Sequence, residues 1–219
     1  MDGLPEDLSE LCIVNCNRLQ DIVGIPSTVI SLAIYNSSDF KSLQGGENLE
    51  LYSLNLQNLP NLHSLYGINH HIVEVMLRNI DLFVKTNFEC VRVQLWYYNE
   101  IEQHLLQVLP KCRKLSIIKS NISSLKGINN DVKELYIENN TDKEEFILEE
   151  HLPWNLEILG INKYDMNKNH FNRMNNGFMF PETLKEVHIS TYCQNPEMLK
   201  DHILSKINVK FDVLITYVR

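Results

Sequence analysis

The chain has 219 residues, and 44% of them are hydrophobic, which is enough to build the core of one elongated domain. Its 28 acidic and 20 basic residues give a net charge of -8, and an acidic surface repels the phosphates of nucleic acids. There is no apolar run of 18 residues, and the first ten residues, MDGLPEDLSE, lack the basic and apolar segments of a secretory signal. We therefore expect a soluble, cytoplasmic protein that binds neither nucleic acid nor membrane.

A pattern of apolar residues repeats through almost the whole chain. In each copy, apolar residues or cysteine stand at positions one, four and six, as Leu8, Leu11 and Ile13 do in the first copy. Nine copies, 18 to 28 residues apart, begin at Leu8, Val29, Leu51, Ile72, Cys90, Cys112, Val132, Leu156 and Leu184. Alternating apolar residues favour short strands, and such strands can bury their shared apolar side only against one another. The pattern thus predicts a stack of parallel strands.

Turn-forming residues lead into most copies of the repeat. Proline stands in five lead-ins, at Pro5, Pro26, Pro110, Pro153 and Pro181. Proline has no N–H to give to a strand ladder, so it belongs before a strand and not inside it. Gly24, Gly67 and Gly127 also stand shortly before a strand, and we expect them to adopt a positive φ in a tight turn.

The repeat resembles that of the leucine-rich repeat superfamily over residues 4–192. Its first copy, L-P-x-x-L-x-x-L from Leu4 to Leu11, is similar to repeats of bacterial effectors, whereas G-I-N-x-x-V-x-x-L from Gly127 to Leu135 is similar to intracellular phosphatase-regulator repeats. The mixture is compatible with a viral, protist or parasite protein of effector type. The resemblance implies an α/β solenoid in which residues 1–219 form one domain. One curved parallel sheet of nine or ten strands would carry irregular or helical returns on its convex side.

Position nine of the repeat departs from this family. The family places asparagine there, and only Asn140 matches, so we expect the turn geometry to drift between repeats. In the returns, Asn99 and Glu102 predict a capped helix from Glu100 to Leu109. Residues 141–144 spell a second capping box, which predicts a helix in the seventh return. Residues 165–180, rich in asparagine, carry no clear pattern.

Residues 193–219 are expected to cap the end of the solenoid. Asn195 and Pro196 predict the start of a helix that runs to about Lys206. After it, apolar residues alternate as in a closing edge strand, at Phe211, Val213 and Ile215. A terminal repeat needs such a cover because its apolar side would otherwise face water.

Five cysteines occur, at Cys12, Cys16, Cys90, Cys112 and Cys193. Their odd number and the lack of a C-x-x-C pair favour neither a disulfide framework nor a zinc site. Cys16 at position nine and Cys90 and Cys112 at position one are predicted to lie in the core as reduced, inert thiols.

The sequence lacks the common catalytic motifs. It contains no phosphate-binding G-x-x-x-x-G-K-[ST] loop, no G-x-S-x-G elbow and no H-E-x-x-H zinc motif. His70 and His71, with Glu74 nearby, leave open an enzymatic site of unrecognised type, although a polar turn explains the two histidines more simply. We expect no enzyme, no cofactor and no metal.

Positions five and seven of each strand are expected to point away from the core, towards the concave side of the sheet. Large side chains gather there in the middle of the chain, and such exposed side chains mark binding surfaces. Tryptophan, tyrosine and arginine are also enriched in interface hot spots. The predicted partner-binding residues are Tyr35, Met76, Arg78, Trp96, Tyr97, Ile118, Tyr136 and Glu138. In the other reading, a return or the C-terminal segment covers this surface.

These observations predict a non-enzymatic module that binds a partner protein through the concave side of its sheet. An adaptor is the alternative, in which the flanks recruit an enzyme such as a ubiquitin ligase or a phosphatase while the sheet holds a second protein. The sequence does not identify the partner.

Overall fold

The structure is a computed structural model, and it describes residues 3–68, 70–122, 124–139, 151–162, 179–193, 195–207 and 214–218. The helix predicted for the seventh return and nearly all of the asparagine-rich segment 165–180 lie outside these residues. The same holds for Asn140 at position nine and for Phe211 and Val213 of the closing strand.

Ten parallel strands form one sheet, and their order in the sheet follows their order in the chain. The strands are β1 (Glu10–Val14), β2 (Ser31–Tyr35), β3 (Ser53–Gln57), β4 (Ile72–Arg78), β5 (Glu89–Trp96), β6 (Lys111–Ser120), β7 (Glu134–Asn139), β8 (Ile158–Asn162), β9 (Glu186–Ser190) and β10 (Leu214–Val218). The predicted curved repeat solenoid is confirmed.

Positions one, four and six of the repeat build the core, as predicted. Leu54, Leu115 and Leu135 are at most 1% exposed, and every other residue at these positions is buried except Leu8 and Leu11. Those two belong to the first repeat, where β1 pairs with a strand on one side only. The apolar column is therefore continuous through the stack and partly open at its first repeat.

The residue at position eight, at the end of each of the first six strands, adopts a left-handed backbone conformation. The residues there, with φ between 48° and 58°, are Asn15, Asn36, Asn58, Asn79, Tyr97 and Lys119. Their N–H groups continue the sheet ladder; that of Asn15, for example, donates to the carbonyl of Tyr35 at 3.0 Å. Asparagine tolerates this conformation better than other residues with a Cβ. The turn is thus uniform over these repeats, and the predicted drift is wrong for them.

Hydroxyl groups at position nine take over the hydrogen bonding expected of asparagine. The Ser37 hydroxyl accepts a bond from the N–H of Cys16 at 3.2 Å, and that of Ser120 accepts one from the N–H of Tyr98 at 3.0 Å. The phenol of Tyr98 in turn accepts from the N–H of Ile80 at 3.3 Å. These bonds link successive repeats and satisfy buried backbone donors, which would otherwise cost stability.

The glycine and proline turns form as predicted. Gly24, Gly67 and Gly127 have φ of 87°, 112° and 104°. A Cβ on Gly67 would overlap the backbone of Leu43, so this turn excludes every other residue. The carbonyl of Pro26 accepts the N–H of Val29 at 3.1 Å, which fixes the entry into the second repeat.

The first helix, α1 (Gln103–Val108), is shorter than predicted. It begins after Glu102, which makes no side-chain capping bond, and Asn99 does not cap it. The reason is that Ile101 forms a parallel bridge with Ile122 of the next return, which holds the preceding backbone in an extended conformation. Leu105 and Leu106 bury the inner side of the helix.

The C-terminal cap combines a helix and a strand. The second helix among the described residues, α2 (Pro196–Lys206), starts at the predicted proline and buries Leu199 and Ile203. Strand β10 then pairs with β9, and Ile215 stands beside Val187. The closing strand is therefore confirmed over its described part, as a parallel continuation of the sheet.

The cysteines are free, and three of them are buried. Cys90 and Cys112 stand directly opposite each other on β5 and β6. Hydrogen bonding with Cys112, burial and the charge of the neighbouring thiol raise the pKa of Cys90. Cys16 is exposed, so its predicted core position is wrong; its backbone N–H, and not its thiol, makes the link to Ser37.

Candidate functional site

Three rows of side chains cover the side of the sheet that faces away from the core, which we call the sheet face. They stand at positions three, five and seven of the strands, and the register places equal positions side by side; Gln94, Ser116 and Tyr136 form one such row. Adjacent strands lie about 4.8 Å apart, so these neighbours can touch. Any feature of the sheet face is therefore built from several repeats.

A groove with a volume of about 490 Å³ crosses the sheet face from β5 to β10. Its floor contains Ser116, Gly160 and Ser190, which are buried although they occupy positions five and seven. The remaining lining includes Arg92, Gln94, Lys114, Ile118, Tyr136, Glu138, Asn162, His188 and Val218. The groove thus combines apolar, aromatic and charged groups.

Tyr136 shapes the middle of the groove. Its ring lies so close to Gly160 that a Cβ at residue 160 would overlap it. On its other side, the Lys114 ammonium is 4.2 Å from the ring centre and forms an ion pair with Glu134 at 3.4 Å. Partial burial, together with the charges of nearby glutamates, raises the pKa of the Tyr136 phenol. The ring therefore lies where it does because residue 160 has no side chain.

Two residues that line the groove each carry a buried polar atom without a hydrogen-bond partner among the described residues: Arg92 Nε and Asn162 Oδ1. The guanidinium of Arg92 donates elsewhere, through Nη1 to Glu74 Oε1 at 3.3 Å. A buried polar group without a partner costs about 1–3 kcal/mol, so a ligand that supplies the missing partners gains this energy. Asn162 lies three strands across the sheet from Arg92 and four residues further along the strand direction. These two offsets place the side chains about 19 Å apart.

A second group of side chains adjoins the groove at the ends of β4 to β6; we call Arg78, Trp96, Tyr97 and Lys119 the Tyr97 cluster. The guanidinium carbon of Arg78 is 4.4 Å from the centre of the Tyr97 ring. The Lys119 ammonium donates to the Tyr97 hydroxyl at 3.2 Å, and this bond raises the pKa of Lys119. The rings of Trp96 and Tyr97 are 5.9 Å apart. Tyr97 is 40% exposed, so the cluster is open to a ligand.

The backbone under the Tyr97 cluster is strained. Asn79 is the last of four asparagines at position eight, and Tyr97 and Lys119 then hold the same left-handed conformation with φ of 55° and 48°. Bulky residues with positive φ are uncommon and concentrate at functional sites. The strain therefore points to a role for these side chains beyond folding.

The structure brings together six of the eight sequence-predicted partner-binding residues. Arg78, Trp96 and Tyr97 form the Tyr97 cluster, while the groove is lined by Ile118, Tyr136 and Glu138. Met76 stands beside Gln94 in the register but does not line the groove. Tyr35 is separate, because Gln57 lies between it and Arg78.

Sequence reasoning missed several residues of this region. They are Arg92, Lys114, Lys119, Gly160, Asn162 and His188. Gly160, Asn162 and His188 stand at positions five and seven, which were predicted to face the concave side, but they were not chosen as binding residues. Arg92 and Lys114 at position three share that side by alternation. The importance of Gly160 depends on Tyr136 in the neighbouring repeat, so the local sequence carries no sign of it.

The residues considered for an enzymatic site do not form one cluster of free groups. His70 and His71 are exposed, whereas the Glu74 carboxylate accepts hydrogen bonds from Arg92 and Gln94 on the sheet face. Within the described ranges, no three His, Cys, Asp or Glu side chains are arranged to hold a metal ion. Both helices of the described part are too short to span a bilayer.

Comparison of the chain with protein-family models, curated proteins and solved structures finds no match. Membership of the leucine-rich repeat superfamily therefore stays a proposal that rests on the repeat pattern. Function has to be argued from the groove and the Tyr97 cluster.

Proposed function

We propose that this chain is a non-enzymatic protein of leucine-rich repeat type that binds an extended segment of a partner protein in the groove. The observation that carries the proposal is that two buried polar atoms on residues that line one open groove, Arg92 Nε and Asn162 Oδ1, have no hydrogen-bond partner among the described residues. One is a donor and the other an acceptor, so a ligand must bring an acceptor to the first and a donor to the second.

An extended peptide meets this requirement well. At about 3.3 Å per residue, roughly six residues span the 19 Å or so between the two side chains. Each residue of a peptide offers a carbonyl acceptor and, except for proline, an N–H donor. Tyr136, Ile118 and the neighbouring Trp96 supply apolar surface for its side chains, and aromatic residues often dominate binding energy.

An adaptor is the second candidate, favoured by a separate surface on the returns. Trp154 is 79% exposed and borders a depression of about 770 Å³ that also contains Met179. Tryptophan is enriched among the residues that dominate binding energy at interfaces. In this proposal a second partner binds at Trp154. The buried free thiols Cys90 and Cys112 suit a reducing compartment, which supports the proposed cytoplasmic location.

The proposal is tested by selecting binders from a displayed library of random peptides and measuring their affinity for three proteins. These are the wild type, Gly160→Ala, which forces the Tyr136 ring to move in the groove, and Trp154→Ala as a matched control on the returns. We expect Gly160→Ala to weaken the selected peptides about tenfold, which is about 1.4 kcal/mol. Trp154→Ala should leave their affinity unchanged.

Gly160→Ala should remain folded, because Gly160 has no positive φ and only the Tyr136 ring has to shift. Thermal melts check this. Trp96→Ala and Tyr136→Ala are further tests, and loss of a hot-spot aromatic can cost about 2 kcal/mol or more of binding. Peptides that bind Gly160→Ala as well as the wild type would refute the groove as the site. Dependence on Trp154 instead would move the site to the returns.

A further inference from the structure

We propose that the segment bound in the groove is acidic and that its carboxylates contact Arg78 and Lys119 in the Tyr97 cluster. This inference rests on the proposed function and names the chemistry of the partner. It is drawn from the charges of the sheet face, the geometry of the Tyr97 cluster and the strain beneath it.

Two pairs of cations lie near each other, one in the groove and one in the Tyr97 cluster. Arg92 and Lys114 in the groove are paired, with Glu74 at 3.3 Å and with Glu134 at 3.4 Å. Arg78 and Lys119 form no ion pair with any residue that the structure describes. The charge of Glu138 also acts on Lys119 and raises its pKa. Two neighbouring cations that form no ion pair with a described residue are thus available to a ligand.

Tyr97 holds these two cations at one place. Arg78 lies over the ring, and the phenol hydroxyl accepts a hydrogen bond from Lys119, so one acidic segment can reach both. The left-handed backbone disfavours both Tyr97 and Lys119, and the preceding repeats use asparagine there. With asparagine at residue 97, the ring that positions Arg78 and Lys119 would be lost. The arrangement presents positive charge at the expense of backbone strain.

The net charge of -8 opposes an acidic partner at long range. At physiological salt, however, the Debye length is about 8 Å, so distant carboxylates are screened and the charges at contact decide. A nucleic acid fits less well, since its continuous phosphate backbone would also meet Glu74, Glu134, Glu138 and Glu186 on the sheet face. A peptide can place its acidic residues at one end only.

Two synthetic peptides test the inference. One carries glutamate at one end and leucine over the remainder of about six residues, the length that spans the groove, and the other has glutamine in place of each glutamate. We expect the wild type to bind the glutamate peptide at least about tenfold more tightly, as judged by fluorescence anisotropy. Arg78→Gln and Lys119→Gln should each remove about tenfold of this affinity. Exposed cations on the returns provide the matched controls, Arg18→Gln and Lys126→Gln, which should change nothing.

Gly160→Ala distinguishes a failure of the acidic preference from a failure of the groove as the binding site. Equal binding of both peptides, with Gly160→Ala weakening both, would overturn the acidic preference and leave the proposed groove standing. Binding that ignores Gly160→Ala would refute the groove itself. Failure of the glutamate peptide to bind, or its displacement by inorganic phosphate or a single-stranded oligonucleotide, would also overturn the inference. Displacement by phosphate or by the oligonucleotide would indicate that Arg78 and Lys119 bind phosphate groups.

Discussion

Position eight of the repeat shows how one backbone conformation selects a residue type. Four successive strands end on asparagine with positive φ, and the amides partly bond to one another. Asn58 Nδ2 donates to Asn36 Oδ1 at 2.7 Å, and Asn79 Nδ2 donates to Asn58 Oδ1 at 3.2 Å. These amides are exposed, so their bonds contribute less than the conformation does. The asparagine expected at position nine is thus found one residue earlier, for a different physical reason.

Asn58→Ala is predicted to lower the free energy of unfolding by about 1–2 kcal/mol, because alanine is disfavoured in the left-handed conformation. Asn58→Gly loses the same amide bonds but accepts positive φ, so it should cost less than about 1 kcal/mol. Urea denaturation with a common m-value measures both. If glycine proves as damaging as alanine, the amide bonds and not the backbone decide the residue.

Thiol accessibility is a second test at the scale of single residues. Cys12 and Cys16 are exposed, while Cys90, Cys112 and Cys193 are buried. A raised pKa also keeps Cys90 protonated and poorly nucleophilic. Titration with a chromogenic disulfide should therefore detect two fast thiols in the native protein and all five after unfolding. The variant with Cys12→Ser and Cys16→Ser should show no fast reaction; fast labelling of Cys90 or Cys112 would contradict their burial.

At the scale of elements, the strands were predictable because their inward positions repeat without exception. The start of α1 was not, since the bridge between Ile101 and Ile122 joins separate returns and leaves no trace in local propensity. Positions five and seven correctly indicated the sheet face. The groove itself was not predicted, because only large side chains indicated a binding surface in the sequence. Ser116 and Gly160 contribute to the depression because their side chains are small or absent.

Glu157 links three strand starts, since it accepts hydrogen bonds from Lys133 at 2.7 Å and Lys185 at 2.6 Å. These bonds lower the pKa of Glu157 from 4.5 to about 2. A depressed pKa in the folded state means that the stabilisation is complete above pH 4.5 and is lost as the pH falls through about 2. Glu157→Gln should flatten the stability profile in this window.

Urea denaturation at a series of acidic pH values measures this effect. Glu182→Gln, at an exposed glutamate on the following return, is the matched control and should keep the wild-type profile. The carboxyl chemical shift of Glu157 gives its pKa directly. A value near 4.5 would show that the two lysines do not hold the carboxylate in solution.

At the scale of the whole molecule, each strand pairs only with its neighbours, so stability is distributed along the stack. The groove depends on this arrangement because its lining comes from six successive strands, from β5 to β10. It exists only when these repeats are stacked in register. The ends differ from the middle: Leu11 is half-buried in β1, and Leu214 of β10 is 59% exposed. Local opening should therefore start at the ends.

Core truncations at the middle and at the end of the stack test this view. Leu115 is 1% exposed in β6, and Leu115→Ala should cost about 2–5 kcal/mol. Leu11→Ala should cost much less, because the half-buried side chain leaves a site that water already reaches. Amide hydrogen exchange of the wild type should be fastest in β1 and β10, which pair on one side only, and slowest in β5 and β6, which lie farthest from both ends of the sheet. Equal protection of all ten strands would instead indicate that the solenoid opens as one cooperative unit.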